Sequence, residues 1–118
     1  FGVGAPHPRQ YGTFARVLGY YVRERGIISL EEAVRKMSSM SSQRLGILGR
    51  WLLVEGSFAD IATFNSDVVT DMANFDAPYP YAIGMKYVLV NGELVVEEGK
   101  HTGRHPGKIL HGPGYVAD

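Results

Sequence analysis

From Phe14 the apolar residues Phe14, Val17, Leu18, Tyr21 and Val22 recur at i, i+3, i+4, i+7 and i+8, while Arg16, Arg23 and Glu24 fall elsewhere on the wheel. This spacing predicts an amphipathic helix over residues 14 to 25, stopped by Gly26. Ser29 followed by Glu32 is a capping-box pattern, and Leu30, Ala33, Val34 and Met37 then mark one face of a second, shorter helix. A further helical turn is expected over Ser42 to Leu45, with Gly46 ending it. Beyond Gly49 the pattern shortens. Leu52 to Val54, Ile61 to Phe64, Tyr87 to Val90 and Glu93 to Val96 are short β-branched or aromatic runs between turn residues, which predicts four strands. Asn91-Gly92 lies between the last two and suits the two positive φ values of a type I′ hairpin turn.

The segments between these elements read as loops. Residues 1 to 12, FGVGAPHPRQYG, hold three glycines and two prolines, which break helix and strand alike. Residues 66 to 84 carry Asp67, Asp71, Asn74, Asp76, Pro78 and Pro80 and predict a long surface excursion. The tail from Gly99 to Asp118, with five glycines and two prolines, is expected to be irregular. Helices followed by a small set of strands indicate an α+β arrangement. Four short strands with two apolar faces would stay poorly sheltered by this chain alone, so a covering partner is expected.

Composition narrows the function. At 118 residues the chain is too short for a complete (β/α)8 barrel, which needs about 250. A formal net charge of zero supplies no field to draw nucleic acid. No apolar run approaches the ~20 residues of a membrane helix. The absence of cysteine fits a reducing compartment, and the cytoplasm is the default expectation. The chain opens on Phe1 with no signal-peptide pattern after it, and a processed or truncated product is the simplest expectation.

Candidate chemistry is sparse. His7-Pro8-Arg9 sets an imidazole and a guanidinium beside rigid proline, where Arg9 could take a carboxylate through two parallel hydrogen bonds or serve only as a surface residue. His101, His105 and His111 lie in the tail, where Gly103 and Pro106 argue against the helix that would align the first two, so no zinc is assigned to them. Asp67, Asp71 and Asp76 lack the spacing of a calcium loop and read as turn formers and solvated caps. Asp60 opens an apolar strand as a carboxylate expected to accept backbone N–H bonds rather than to catalyse. The scattered tyrosines Tyr20, Tyr21, Tyr79, Tyr81 and Tyr87 fit packing, and no G-x-S-x-G nucleophile elbow occurs.

Taken together, PHPRQYGTFARVLGYYVRERGIISLEEAVRKMSSMSSQRLGI (residues 6 to 47), LLVEGSFADIATFN (52 to 65) and YVLVNGELVVEEGKHTGRHPGKIL (87 to 110) resemble the end of a D-aminoacylase-type metal-dependent amidohydrolase. R-L-G-I, E-G-x-x-A-D-I and V-x-V-N-G are shared broadly by amidohydrolases, whereas H-P-R-x-Y-G-T-F-x-R-V-L-G points to the deacylase branch. The resemblance implies a (β/α)8 barrel carrying zinc, with a small β-sandwich built from both chain ends. It makes residues 1–49 the last barrel helix and linking helices, 50–98 strands of the sandwich, and 99–118 a tail. It also places His7 and Arg9 in the loop after the last barrel strand, on the substrate side.

What the resemblance implies for activity is hydrolysis of N-acyl-D-amino acids, zinc polarising the amide and an Asp acting as base. Hydrolysis of a cyclic amide or ureide, in the manner of a dihydroorotase or hydantoinase, and a free-standing α+β binding module are the alternatives. Residues 1 to 59 contain no aspartate, the paired H-x-H ligands are absent, and so is the cysteine that resembles a zinc ligand in this branch. Alone, the chain is therefore expected to bind no catalytic zinc and to be inactive. The remainder of a parent chain, or another copy, is expected to cover its strands; neither nucleic acid nor membrane is expected as a partner.

Overall fold

Four irregular residues, Gly4 and Pro6 to Pro8, precede the first helix in the computed structural model, which describes residues 4, 6–112 and 114–116. Part of the predicted opening loop (Phe1, Gly2, Val3 and Ala5) and of the tail (Pro113, Ala117 and Asp118) lies outside the described residues. Helix α1 spans Arg9–Arg16 and continues without a break as a π-helical segment, Val17–Glu24. The helix thus starts at Arg9 rather than Phe14: Pro8, counted as a breaker, has φ −52° and suits a helix start, and Tyr11 extends the apolar repeat to Phe14, Ala15 and Leu18. Gly12, expected to break structure, sits inside the helix: a Cβ there would lie 2.7 Å from the Cβ of Asp71, so a close neighbour requires glycine.

The buried stripe is also offset from the predicted one. Gly12, Ala15, Leu18 and Gly19 face inward, while Phe14 is 66% exposed. Across from Gly19 lies the carbonyl of Val69, 2.7 Å from where a Cβ would stand. The wider winding shows in Arg25 N–H donating to the Tyr20 carbonyl, five residues back, at 2.9 Å.

Helix α2, Leu30–Met37, begins as predicted: the Ser29 hydroxyl accepts the Glu32 N–H at 3.2 Å, Glu31 and Glu32 occupy the positive end of the dipole, and Ala33 is buried. Helix α3, Ser39–Leu45, is longer than the predicted turn and ends at Gly46 with φ 67°.

Strands β1 (Ile61–Phe64), β2 (Met85–Val90), β3 (Glu93–Glu97) and β4 (Lys100–His101) form one antiparallel sheet in sequence order. Asn91 at φ 51° and Gly92 at φ 81° make the predicted hairpin turn. Strand β4 takes two residues from the tail expected to be irregular, reached through a second positive-φ pair at Glu98 and Gly99. Leu52 to Val54, by contrast, are not a strand. They run into a turn closed by Ser57 N–H to Val54 O and Phe58 N–H to Gly49 O, and all three side chains are exposed. An apolar run becomes a strand only where a neighbour accepts its backbone hydrogen bonds, and no described strand lies beside this one.

The 66–84 excursion is not confined to the surface. Val69 within it is fully buried, packed with Ala15 and Leu18 and bordered by Leu30, Met37, Phe64, Ala82 and Met85. Arg23 holds the segment down, its Nη1 donating to the carbonyls of Ser66 at 3.0 Å and Val69 at 2.7 Å. This small core brings the helices together with Phe64 at the end of β1 and Met85 at the start of β2. Leu48, Leu53, Phe58 and Ile109 remain exposed, but all lie outside the strands, whose residues Val88, Leu89, Val90, Leu94 and Val96 are half-buried and Val95 buried, so the exposed apolar surface flanks the sheet rather than lying on its strands.

Candidate functional site

The candidate site grows from the start of α1. Pro8 has helical dihedrals, so its ring fixes the first turn, but it offers no side chain to cap the free N–H groups. His7 supplies that function: its Nδ1 accepts the Arg9 N–H at 3.1 Å. A nitrogen that accepts has no proton, so the neutral ring carries its hydrogen on Nε2. The exposed ring is thus an N–H donor. The Arg9 side chain is exposed beside it, and its guanidinium forms no hydrogen bond or ion pair with any described residue. Two donors, one permanently charged, therefore stand two positions apart on a proline-stiffened turn. Such a pair suits a carboxylate or another oxyanion.

Aromatic side chains from residues 75–81 pack against this corner, and the sequence reading assigned them no site role. Phe75 meets the His7 ring edge-on, centroids 5.1 Å apart at 77°; Tyr11 lies 5.9 Å from both Tyr79 and Tyr81. The Tyr79 hydroxyl donates to the Gly4 carbonyl. Pro78-Tyr79-Pro80-Tyr81, alternating rigid and aromatic residues, was the available signal. Its target, more than 60 positions away, was not legible.

Other candidates resolve into structure. Asp60 accepts Arg50 Nη1 at 2.5 Å and the Asn91 N–H at 2.7 Å, the role expected of it. Burial works to raise its pKa, but those hydrogen bonds and the Arg50 charge outweigh it and hold the carboxyl below the usual aspartate range. Arg50 is itself stacked 4.0 Å over the Phe58 ring. Asp71 is no solvated cap, since its carboxylate pairs with Arg16 Nη1 at 3.2 Å and is only 10% exposed. Turn forming at the other two aspartates falls to neighbouring asparagines: Asn65 Oδ1 accepts the Asp67 N–H and Asn74 Oδ1 the Asp76 N–H, both at 2.9 Å. The Tyr87 hydroxyl donates to Glu98, and that hydrogen bond, followed by the Glu98 charge, raises the phenol's pKa.

The histidines and carboxylates described do not fit a catalytic zinc. Among the described residues no three metal-binding side chains converge. His101 and His105 do approach, with ring centroids 5.4 Å apart, yet His101 Nδ1 accepts the Gly103 N–H at 2.9 Å, which leaves the proton of the neutral ring on Nε2 and no lone pair for a cation. His111 stacks on Tyr115 instead. No helix among the described residues is long and apolar enough to cross a membrane.

Comparison with known proteins bears on the whole arrangement. Residues 2–96 match the family described as "Amidohydrolase family". The D-aminoacylase of Alcaligenes xylosoxydans xylosoxydans is 46% identical over 105 residues, which are 89% of this chain and 22% of that protein. A crystal structure of D-aminoacylase, described as defining a novel subset of amidohydrolases, superposes with a TM-score of 0.87 at 42% identity over 90% of this chain and 22% of its own. The N-acyl-D-glutamate deacylase of Bordetella bronchiseptica, solved with zinc and a phosphonate mimic of the tetrahedral intermediate, gives 0.76 at 43% identity over 77% of this chain and 19% of its own. The chain thus spans about a fifth of the length of the relatives it matches.

Proposed function

We infer the function of this protein from one premise: the chain belongs to the amidohydrolase family. The reading supported best is that it forms part of a longer hydrolase acting on N-acyl-D-amino acids. Water adds to the acyl carbon, the C–N bond breaks, and the nitrogen takes up a proton to leave a free D-amino acid and a carboxylic acid. In this reading residues 1–49 are the end of a (β/α)8 barrel, 50–98 contribute strands to a small β-sandwich, and 99–118 form a tail. The remainder of the longer chain covers the exposed apolar surface. Zinc is the cofactor, held by residues other than those described, and no step of this chain's contribution runs through it. The cysteine-free composition supports a cytoplasmic setting.

One observation carries the reading: Arg9 presents a guanidinium without a partner among the described residues, beside the Nε2 donor of His7. An N-acyl-D-amino acid carries a free carboxylate next to the scissile amide, and a planar guanidinium binds that group through two parallel bonds. This favours a carboxylate-bearing substrate over a simple hydantoin-type cyclic ureide, whose ring carries no carboxylate. The small core favours a scaffold within a larger enzyme over a free-standing module.

The test is steady-state kinetics on the intact enzyme. Arg9→Ala is expected to lower kcat/KM by about 100-fold or more, and Arg9→Lys to restore only part of it, because the charge returns without the fork. Unchanged kinetics in both variants would remove Arg9 from the site.

A further inference from the structure

We propose that Phe75 and Tyr79 are positioning residues for the His7–Arg9 corner, so that the loop between Asp71 and Tyr81 sets how firmly the substrate's anionic group is held. This rests on the reading of Arg9 given above.

The loop is bonded to itself. Asn74 Oδ1 accepts the N–H groups of Asp76 at 2.9 Å and Ala77 at 2.7 Å, Asn74 N–H donates to the Ala77 carbonyl at 3.0 Å, and Pro78 is buried. It is also fastened at both ends of the corner. Asp71 reaches Arg16 at 3.2 Å and lies where Gly12 leaves room for it, while the Tyr79 hydroxyl reaches back to the Gly4 carbonyl ahead of His7. Between these anchors Phe75 stands edge-on to the His7 ring.

Ring and helix start are coupled. Turning the imidazole away from Phe75 would take Nδ1 off the Arg9 N–H, and the first helical residue would lose its acceptor. The orientation of Arg9 therefore depends on a contact made with a residue 66 positions further along the chain. A guanidinium that binds through two parallel hydrogen bonds is sensitive to such orientation, since displacements of about 1 Å can cost up to ~100-fold in rate.

The experiment uses the intact enzyme and two substrates: an N-acetyl-D-amino acid, and its carboxamide, in which the carboxylate is replaced by a neutral amide. Tyr79→Phe, which removes only the hydroxyl, and Phe75→Leu, which removes the ring, are compared with Arg9→Ala and wild type, with Tm measured for each. The expected result is a loss of about fivefold in kcat/KM on the acid for each loop variant, the equivalent of one hydrogen bond, with a larger loss for Arg9→Ala and little change on the carboxamide. Equal losses on acid and carboxamide, or no loss on either, while Arg9→Ala stays selective, would overturn the positioning role and leave Arg9 in place. An Arg9→Ala variant with no selectivity would overturn the reading beneath it.

Discussion

Arg50 and Arg9 are the same residue type in opposite circumstances. Arg50 is spent within the chain: its guanidinium pairs with Asp60, stacks on Phe58, and its side chain is 11% exposed. Arg9 is exposed on a proline-stiffened turn with no described partner for its charge. Around Arg50 the hydrogen bonds run inward, tying Asp60 to Asn91 and Asn91 Nδ2 to the Pro106 carbonyl at 2.6 Å, with Asn91 Oδ1 buried and without a partner among the described residues. Around Arg9 they involve only its backbone, whose N–H donates to His7 and whose carbonyl accepts the Thr13 hydroxyl. An internally satisfied charge serves the fold; a rigidly mounted, unsatisfied one is available to a ligand.

The largest expected effect that could break this contrast is on stability. Arg50→Ala should cost about 3 kcal/mol, because it strands the partly buried Asp60 carboxylate, whereas Arg9→Ala should stay within about 0.5 kcal/mol. Urea unfolding midpoints of the two variants measure this directly. Equal losses would mean that Arg9 has a structural partner after all.

Acid sharpens the contrast. Because the folded pKa of Asp60 is depressed, its contribution is fully present above the ordinary aspartate pKa of about 3.9 and is lost as pH falls through the lower folded value. Asp60→Asn should cost about 2 kcal/mol near neutral pH and flatten this acid loss. A stability curve with unchanged slope in Asp60→Asn would show that other carboxylates control the transition.

A smaller effect concerns the link between loop and corner. Gly12→Ala would set a Cβ 2.7 Å from that of Asp71 and is expected to cost about 1 kcal/mol, with the loss showing also in kcat/KM on the acid substrate. Stability and kinetics that both ignore this substitution would disconnect Asp71 from the helix.

What the sequence determined by itself was local. Ser29 with Glu32, Gly46 after α3 and Asn91-Gly92 in the hairpin each act on backbone dihedrals or on an N–H three residues away, so a short window contains their whole cause. Asp60 was legible for a similar reason: a carboxylate at the head of an apolar strand has few ways to be satisfied there. His7 and Arg9 could be named as a pair, but nothing nearby says that one ring nitrogen caps the helix or that Phe75 holds the ring.

The tertiary structure alone decided those points. It also buried Val69 in a segment that reads as surface and turned Gly12 from a helix breaker into a point of close approach. Leu52 to Val54 lost their strand in the same way, for want of a neighbour. Each of these outcomes depends on which distant backbone occupies the adjoining space, and chain order does not encode that in any local window. Propensity and capping are settled within a few residues; burial, pairing and the mounting of a side chain are settled by what packs against them.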